Sequence, residues 1–379
     1  MQKALAIFIY SRVGGEIENT CVRRGFTIFR RLWLALLVNV YYNIQVNSME
    51  TTIKHIAQIT KVSYATVSRA LNNKKGVKAE TRKLVLSAAK KLNYRANAVA
   101  RGLVKRETYS VGLVIPDITN PFFPEVARGI EDQANEAGYS IFLCNTNWED
   151  SREIRSIRVL TEKRVDGIII APTTNRLDFL EEVLPRGIPV VFVSSAAKNS
   201  EHSSVVIDNI LGGFLATSHL IEAGYRDIGF IGAPKDSLTL DERLEGYKMA
   251  FRKHGLIIND DFIQLGDFTR ETGYNIIKRM VGKGDCPRAV FAENDLLALG
   301  VIQGARELGL LVPEDLAVVG FDDIPFAAFP EIQLTTICQP KHDMGKIAFD
   351  LLLERMVNNE IRKKRIILEP ELVVRKSSC

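Results

Sequence analysis

The sequence predicts an α/β protein with parallel sheets, preceded by a three-helix headpiece, and three observations support this fold class. From Ser110 onward, apolar strand-like segments alternate with amphipathic helices, and that order is typical of parallel sheets. Residues 52–73 have the spacing of two short helices joined by a tight turn. The charge is divided, since residues 51–107 carry 14 Lys and Arg against 2 acids, whereas residues 108–379 carry 30 against 40.

The concentration of positive charge in residues 51–107 indicates a module that binds a polyanion. A compact cluster of Lys and Arg displaces the counterions condensed on nucleic acid phosphates. A basic face that is merely solvated is the alternative. The sequence therefore favours nucleic acid as a partner of the N-terminal part of the chain.

The five cysteines, at positions 21, 144, 286, 338 and 379, form neither a CxxC pair nor a cluster with histidine. They indicate reduced thiols in a cytoplasmic protein rather than a disulfide framework or a zinc site. Residues 1–50 contain an apolar run, Leu32 to Tyr42, that is about half the length needed to cross a bilayer. We expect a poorly ordered extension here, with Met49 as a plausible initiator and a membrane-surface anchor as the alternative.

The headpiece sequence has the features of a helix-turn-helix. Ile56 and Val67 lie on the apolar faces of two predicted helices, and Ser63 is placed to cap the second helix. Arg69 and short polar side chains face outward from that second helix. A helix of this kind can enter the major groove of DNA, where a bidentate Arg reads guanine.

A third helix is predicted from Ala79 to Leu92. Its inward positions are Val85, Leu86, Ala89 and Leu92. Its first turns offer side chains that could contact phosphates, which are Lys78, Thr81, Arg82 and Lys83. A generic basic three-helix bundle is the alternative for the headpiece.

The stretch TIKHIAQITKVSYATVSRALNN, continued by VKAETRKLVLSAAKKLNYRANAVARGL, resembles the N-terminus of the LacI/GalR family of transcriptional regulators. The resemblance implies that Tyr64, Ala65 and Arg69 read bases. It also implies that Ser63, Thr66 and Asn72 contact the DNA backbone. The chain departs from the family at Lys61, where a small residue is usual.

The segment from Arg95 to Leu103 is similar to the hinge helix of the same family, which orders on DNA and inserts a leucine into the minor groove. The resemblance makes Leu103 the candidate wedge and adds Asn97 and Ala100 to the DNA-contacting set. Gly102 costs about 1 kcal/mol of helix stability, which suits a segment that folds only on its target. A plain linker is the alternative.

Polar and aromatic side chains follow the predicted strands of the C-terminal region, where ligands bind in open α/β sheets. These strand-end positions are Asn120, Phe122, Phe123, Ser194, Ser195, Arg243, Phe268, Asn294, Asp295, Asp322 and Asp323. Aromatic rings cover the C–H faces of a sugar, and Asn, Asp and Arg bind its hydroxyls. No nucleophile–base pair, phosphate-binding glycine motif or metal spacing accompanies them, so we expect neither an enzyme nor a bound cofactor. Taken singly, the phenylalanines could be core, Asn294-Asp295 a helix cap and Asp322-Asp323 a turn.

Together these positions resemble the periplasmic-binding-protein-like domain of the LacI/GalR family, from Thr52 to about Val374 when the headpiece is included. The resemblance implies two lobes with an effector between them, contacted by Phe122, Phe123, Arg243, Phe268, Asn294, Asp322 and Gln339. The PDITNPFFPEVARG and FDDIP…QPKHDMG segments look most like ribose-type repressors. Ser194-Ser195 departs from that type, which has Asp-Arg at this place. The resemblance therefore does not identify the sugar.

The expected organisation follows from these parts. It comprises an extension (1–50), a helix-turn-helix domain (51–96), a hinge (97–107) and an effector-binding and dimerisation domain (108–379). Lobe 1 is expected at about 108–208 and 337–368, and lobe 2 at about 209–336 and 369–379. We expect a dimeric or tetrameric cytoplasmic repressor of a carbohydrate operon, which a sugar releases from operator DNA. The alternatives are a catabolite-control-type regulator that answers to a phosphorylated carrier protein, and a sugar-binding transport protein.

Overall fold

The computed structural model describes residues 52–94, 107–172, 183–184, 187–196, 200–232, 237–284, 286–358 and 362–379. The chain divides into two compact units, Met1–Asn97 and Ala98–Cys379. The predicted N-terminal extension and the hinge positions Asn97, Ala100 and Leu103 lie outside the described residues.

The headpiece contains three helices, α1 (Ile53–Thr60), α2 (Tyr64–Leu71) and α3 (Ala79–Lys91). They pack around a small core formed by Ile56, Val67, Ala70, Val85 and Ala89. This confirms the predicted three-helix arrangement. The expectation that Leu86 packs inward is wrong, because its side chain is 47% exposed. Val85 and Ala89, four residues apart, define the buried face of α3, and Leu86 is turned about 100° away from Val85.

The first half of the second unit builds one sheet and the helices around it. Its elements are β1 (Ser110–Ile115), α4 (Phe122–Glu136), β2 (Ser140–Asn145), α5 (Asp150–Glu162), β3 (Gly167–Ile170), β4 (Val190–Ser194) and β5 (Ser203–Ile207). The next part builds a second sheet in the same way. Its elements are α6 (Asn209–Glu222), β6 (Ile228–Gly232), α7 (Leu238–Lys253), β7 (Ile263–Leu265), α8 (Arg270–Gly282), β8 (Ala289–Ala292), α9 (Asp295–Glu307), β9 (Ala317–Asp322) and β10 (Thr335–Cys338).

The C-terminal elements return to both sheets. They are α10 (Lys341–Val357), β11 (Arg365–Leu368) and β12 (Glu371–Val373). The first sheet has the strand order β11-β5-β4-β3-β1-β2, and the second has the order β12-β10-β9-β8-β6-β7. Every described pairing is parallel except β10 with β12. The predicted α/β class with parallel sheets is therefore confirmed.

Helices cover both faces of each sheet, which is why inner strands such as β3 and β8 are buried and apolar along their whole length. In the first sheet, hereafter lobe 1, α4 and α10 cover one face and α5 the other. In the second, hereafter lobe 2, α8 and α9 cover one face and α6 and α7 the other. The strands of both lobes direct their carboxyl ends, and the loops that follow them, to a shared cleft.

The chain passes between the lobes three times, after β5, after β10 and between β11 and β12. These four strands occupy the first two positions of each sheet. The connections therefore lie together along one edge of the cleft. Strands β2 and β7 end the two sheets at the other edge.

Candidate functional site

The turn between α1 and α2 sets the orientation of the second helix. The Ser63 hydroxyl accepts a hydrogen bond from the backbone N–H of Thr66 at 3.3 Å, as the sequence predicted for a capped helix. Lys61 occupies the left-handed region at φ 51° and ends α1. A β-carbon is tolerated there at a cost of about 1–2 kcal/mol, so the turn forms without the small residue usual in the family.

The exposed face of α2 and its two caps carry five of the seven predicted DNA-contacting residues that the structure describes. Ser63, Tyr64, Ala65, Arg69 and Asn72 are exposed in the headpiece. The remaining two of the set within the described residues, Thr66 and Thr81, are half-buried.

Arg82 holds α3 against the end of α2. Its guanidinium donates to the Lys74 carbonyl at 2.6 Å, to the Ala70 carbonyl at 3.5 Å and to the Asn73 side chain. Charge-assisted bonds to helix-end carbonyls satisfy acceptors that the helix leaves unpaired. The sequence offered Arg82 as a phosphate contact, and the structure gives it a structural role within the headpiece.

The cleft of the second unit encloses about 600 Å³ when the part open to solvent is included. All nine residues predicted to contact an effector line it. They are Asn120, Phe122, Phe123, Ser194, Arg243, Phe268, Asn294, Asp322 and Gln339. The strand-end position Ser195 lines it as well, whereas the strand-end positions Asp295 and Asp323 do not. The structure adds Pro116, Trp148, Ala171, Pro172, Ser237 and Thr239.

Lobe 1 supplies an aromatic wall. Phe122 and Phe123 begin α4 and meet edge to face, with ring centroids 5.1 Å apart. Asn120 fixes this start, since its side-chain oxygen accepts from the Phe122 N–H at 3.1 Å. Both rings also belong to the hydrophobic core of lobe 1, so each phenylalanine is a core residue and a cleft residue at once. Ser194 contributes a hydroxyl from the end of β4, at φ 71°.

Lobe 2 supplies the charged groups of the lining. Arg243, on α7, is 5% exposed; its Nε donates to Asn209 Oδ1 at 2.9 Å and its Nη1 donates to the Glu293 carbonyl at 2.5 Å. The guanidinium lies 3.6 Å from the centre of the Phe321 ring. Burial lowers the pKa of Arg243, while Asp322 and nearby acids oppose that shift. This guanidinium is tightly held before any ligand contact is considered.

The close approach of α6 and α7 places Arg243. A β-carbon at Gly213 of α6 would clash with the backbone carbonyl of Arg243. Only glycine permits this contact between the two helix backbones.

Asp322 is the central carboxylate of the cleft. It ends β9 at φ 120°, accepts from Gln339 Nε2 at 2.7 Å, and its own carbonyl accepts from Lys341 Nζ at 2.6 Å. Burial raises the pKa of Asp322 to about 6, and Arg243 and then Lys341 act against that rise. Non-glycine residues in left-handed backbone at the ends of β4 and β9 are strain, and such strain concentrates at binding sites.

Asn294 and Asp295 both have structural roles, and Asn294 also lines the cleft. Asn294 caps α9 by accepting from the Leu297 N–H at 2.7 Å, and its amide donates to the Phe268 carbonyl at 3.4 Å. Asp295 accepts from Thr336 and from the Ile324 N–H, and burial raises its pKa. The cap interpretation is therefore confirmed for Asn294, whereas Asp295 is the first residue of the helix and binds residues outside it.

Sequence reasoning missed Trp148 and Lys341. Trp148 follows β2, and its ring stacks on that of Phe268 with centroids 4.3 Å apart. The strand-end rule, applied to YSIFLCN, would have found it. Lys341 is buried and also lies 3.7 Å from Glu125 of lobe 1, but no motif in the sequence distinguished it from a surface lysine.

Within the described ranges, no group of His, Cys, Asp and Glu could hold a metal ion. In that same part of the chain, no helix has the length and apolar character needed to cross a membrane.

Two family models match this chain. The model of bacterial regulatory proteins of the lacI family matches residues 52–97, which include the whole described headpiece. The model of the periplasmic binding protein-like domain matches residues 217–378.

Curated relatives match over nearly their whole length. Catabolite control protein A of Priestia megaterium is 37% identical over 86% of this chain and 98% of its own. The ribose operon repressor of Escherichia coli K12 is 36% identical over 86% of this chain and 99% of its own. These two identities do not separate the ribose type from the catabolite-control type.

Solved structures of transcription regulators are also similar to this chain. The lac repressor dimer bound to operator and the anti-inducer ONPF has a TM-score of 0.79 at 26% identity, covering 86% of this chain and 99% of its own. The complex of the transcriptional regulator CelR with cellobiose has a TM-score of 0.66 at 32% identity, over 86% and 99%. A LacI family regulator from Enterococcus faecium with bound ribose has a TM-score of 0.64 at 30% identity, over 71% and 98%.

The headpiece match decides against a transport protein, since it is the DNA-binding part of the family that residues 52–97 resemble. The relatives span both units of the chain at more than 30% identity. The chain belongs to the lacI family of bacterial regulatory proteins, and it is a DNA-binding transcription regulator rather than an enzyme.

Proposed function

We propose that the chain is a homodimeric repressor of a carbohydrate-utilisation operon, and that a small sugar bound in the cleft releases it from operator DNA. The observation that carries the proposal is the convergence of aromatic rings from lobe 1 and buried polar groups from lobe 2 on one cleft. A sugar has apolar faces and a rim of hydroxyls, and this pair of walls complements both.

The buried polar groups that line the cleft, hereafter the polar wall, include a hydrogen-bond acceptor that a ligand can use. Among the described residues, Gln339 Oε1 is buried and has no hydrogen-bond partner. A ligand hydroxyl can donate to it, and an unmade hydrogen bond at a buried acceptor costs about 1–3 kcal/mol. The side chains of Ser194, Ser237 and Thr239 add hydroxyls to the same lining.

The exposed face of α2 is the proposed base-reading surface. Tyr64, Ala65 and Arg69 are exposed residues of α2. They would reach base edges when α2 enters the major groove. Ser63, Thr66, Asn72 and Thr81 would contact the DNA backbone. For the hinge at 97–107, the sequence alone supports contacts by Asn97 and Ala100 and a minor-groove wedge at Leu103.

The outer edge of lobe 1 supports dimerisation. Phe142 and Leu143 lie on the edge strand β2, and each is 44% exposed. Exposed apolar side chains on an edge strand invite pairing with another chain. Two copies paired at this edge form a two-fold symmetric protein with two headpieces, and such a protein reads a pseudo-palindromic site.

The experiment that tests this function selects duplexes from a randomised pool with the full chain and then titrates the enriched duplex. Enrichment of an inverted repeat, followed by its release on adding a monosaccharide, is the expected result. A panel of ribose, glucose, galactose and fructose serves as the probe. The proposal is wrong if an inverted repeat is enriched but every sugar leaves its affinity unchanged.

A second candidate is a catabolite-control-type regulator whose partner is a phosphorylated carrier protein. The 37% identity to catabolite control protein A favours it, together with the NAVARGL hinge sequence. It predicts that the phosphorylated carrier tightens binding to the enriched duplex, whereas the unphosphorylated carrier leaves it unchanged. A sugar that releases the duplex with no response to either carrier form would decide for the first proposal.

We place the protein in the cytoplasm. Its DNA target is there, and the cysteines at 144, 286, 338 and 379 are free thiols in the structure.

A further inference from the structure

Trp148 lies on the open side of the cleft, opposite the connections between the lobes. The three connections leave from β5, β10 and β11, at the first two positions of each sheet. Trp148 follows β2, the last strand of lobe 1, and Phe268 follows β7, the last strand of lobe 2. Lobe opening about the connections would therefore separate these two rings first.

The two rings meet across this opening. Their centroids are 4.3 Å apart and their planes are inclined by 18°, which is a stacked arrangement. Trp148 also meets Phe123 of the aromatic wall edge to face, with centroids 6.1 Å apart. A stacked pair at this distance has no room for a ligand ring between its members. Any ligand in the cleft therefore lies on the inner side of the pair.

The backbone holds Trp148 in place. Asn147 and Trp148 both have left-handed backbone, at φ 56° and 60°. Such conformations cost about 1–3 kcal/mol each and persist where the surroundings impose them. On one side the buried Thr146 donates its N–H to the Ile115 carbonyl at 2.9 Å, and on the other the helix α5 begins at Asp150.

From this geometry we infer that Trp148, paired with Phe268, limits the effector to a single sugar ring and excludes disaccharides. The inference rests on the proposed function, since it assigns the size class of ligand for the same cleft. Inside the pair, one face of a ring can lie against Phe122 and Phe123 while its hydroxyls meet the polar wall. A second ring joined to the first and directed toward the opening would have to occupy the space of the Trp148 indole.

The test compares matched sugars on wild type, Trp148→Ala and Trp148→Phe by thermal shift and calorimetry, with the full chain. The pairs are glucose with cellobiose, and galactose with lactose. Wild type is expected to bind a monosaccharide and to bind the corresponding disaccharide at least tenfold more weakly. Trp148→Ala should reduce the ratio of monosaccharide to disaccharide affinity at least fivefold, because disaccharide affinity increases. Trp148→Phe should keep the wild-type ratio, because its ring still stacks on Phe268.

Phe329→Ala is the matched control, since Phe329 is an exposed ring outside the cleft lining. Its sugar selectivity should equal that of wild type. A Trp148→Ala chain that still binds monosaccharides and still rejects disaccharides would overturn the inference and leave the proposed function standing. So would a chain that loses all monosaccharide binding without any gain for disaccharides, because Trp148 would then be a direct contact. If none of ribose, glucose, galactose and fructose binds wild type, the proposed function fails and the inference fails with it.

Discussion

Replacing Arg243 with methionine tests whether the charges of the cleft depend on each other. Methionine keeps much of the length and the apolar contact of arginine, but it removes the guanidinium from Asn209, from the Glu293 carbonyl and from the vicinity of Asp322. Of the two described cations that act on the buried carboxylate of Asp322, Lys341 then remains. We expect a loss of stability in the second unit that depends on pH.

The size of this loss follows from the two hydrogen bonds that Arg243 makes, since it acts on Asp322 as a nearby charge rather than through a direct ion pair. A hydrogen bond to a charged group contributes about 1.5–3 kcal/mol, and the Asn209 side chain and the Glu293 carbonyl would both lose theirs. The pKa of Asp322 is already raised to about 6, and Arg243 is the first of the groups that hold it down. Without Arg243 the pKa of Asp322 rises further. When the pKa of a carboxyl is higher in the folded than in the unfolded state, the free energy of unfolding decreases as the pH rises through the folded-state pKa. The penalty should therefore be largest at pH 7.5 and shrink toward pH 5.

The assay uses tryptophan fluorescence during urea unfolding. The chain has two tryptophans, and in a Trp33→Phe background only Trp148 remains, so the signal reports the second unit. In that background we compare Arg243→Met, Asp322→Asn and the double variant at pH 5 and 7.5. The double variant should recover about 0.5–3 kcal/mol relative to the sum of the single losses at pH 7.5, the range of coupling between residues that interact.

Two results would refute this reasoning. One is additivity of the two single losses at pH 7.5, which would mean that the charges do not interact. The other is an Arg243→Met penalty that grows toward pH 5, the opposite of the direction expected from a carboxyl with a raised pKa.

Three further predictions concern the headpiece and the edge of lobe 1. Arg69→Ala should reduce discrimination between the selected duplex and a scrambled one by about 1–3 kcal/mol in a fluorescence anisotropy assay, while Lys90→Ala, an exposed cation on α3, should preserve it. Equal discrimination in both variants would remove the base-reading role. Arg82→Ala should destabilise the headpiece by about 1.5–3 kcal/mol in hydrogen exchange of its amides, whereas Lys83→Ala should leave exchange unchanged; an unaffected Arg82→Ala headpiece would contradict the assigned contacts. Phe142→Asp should yield monomers in sedimentation, and an unchanged dimer would place the interface elsewhere.

The fold could be predicted from the sequence because its signals are local. Alternating strands and helices, the Ser63 cap and the charge division each depend on neighbouring residues. Leu86 was the exception, since its apolar character suggested burial, while the geometry of α3 turns it toward solvent. An apolar residue next to a buried one on a helix carries little information about its own exposure.

The cleft was predictable where its residues lie at the carboxyl ends of strands, as Ser194 and Asp322 do. Its internal bonds were not predictable, because they join residues far apart in the chain. Lys341 reaches the Asp322 carbonyl from the start of α10, and Gln339 reaches the Asp322 carboxylate from the loop before it. Only the return of the chain to lobe 1 after β10 brings these groups together, and no local pattern encodes that distance.

Release by a sugar requires that binding in the cleft change the affinity of the headpiece for DNA. The measurement is the dissociation constant of the selected duplex with and without a saturating monosaccharide identified by thermal shift. Allosteric coupling in regulators is commonly about 5–150-fold, and we predict that the sugar weakens duplex binding within that range. The same dissociation constant in both conditions, with the sugar shown to be bound, would contradict the account.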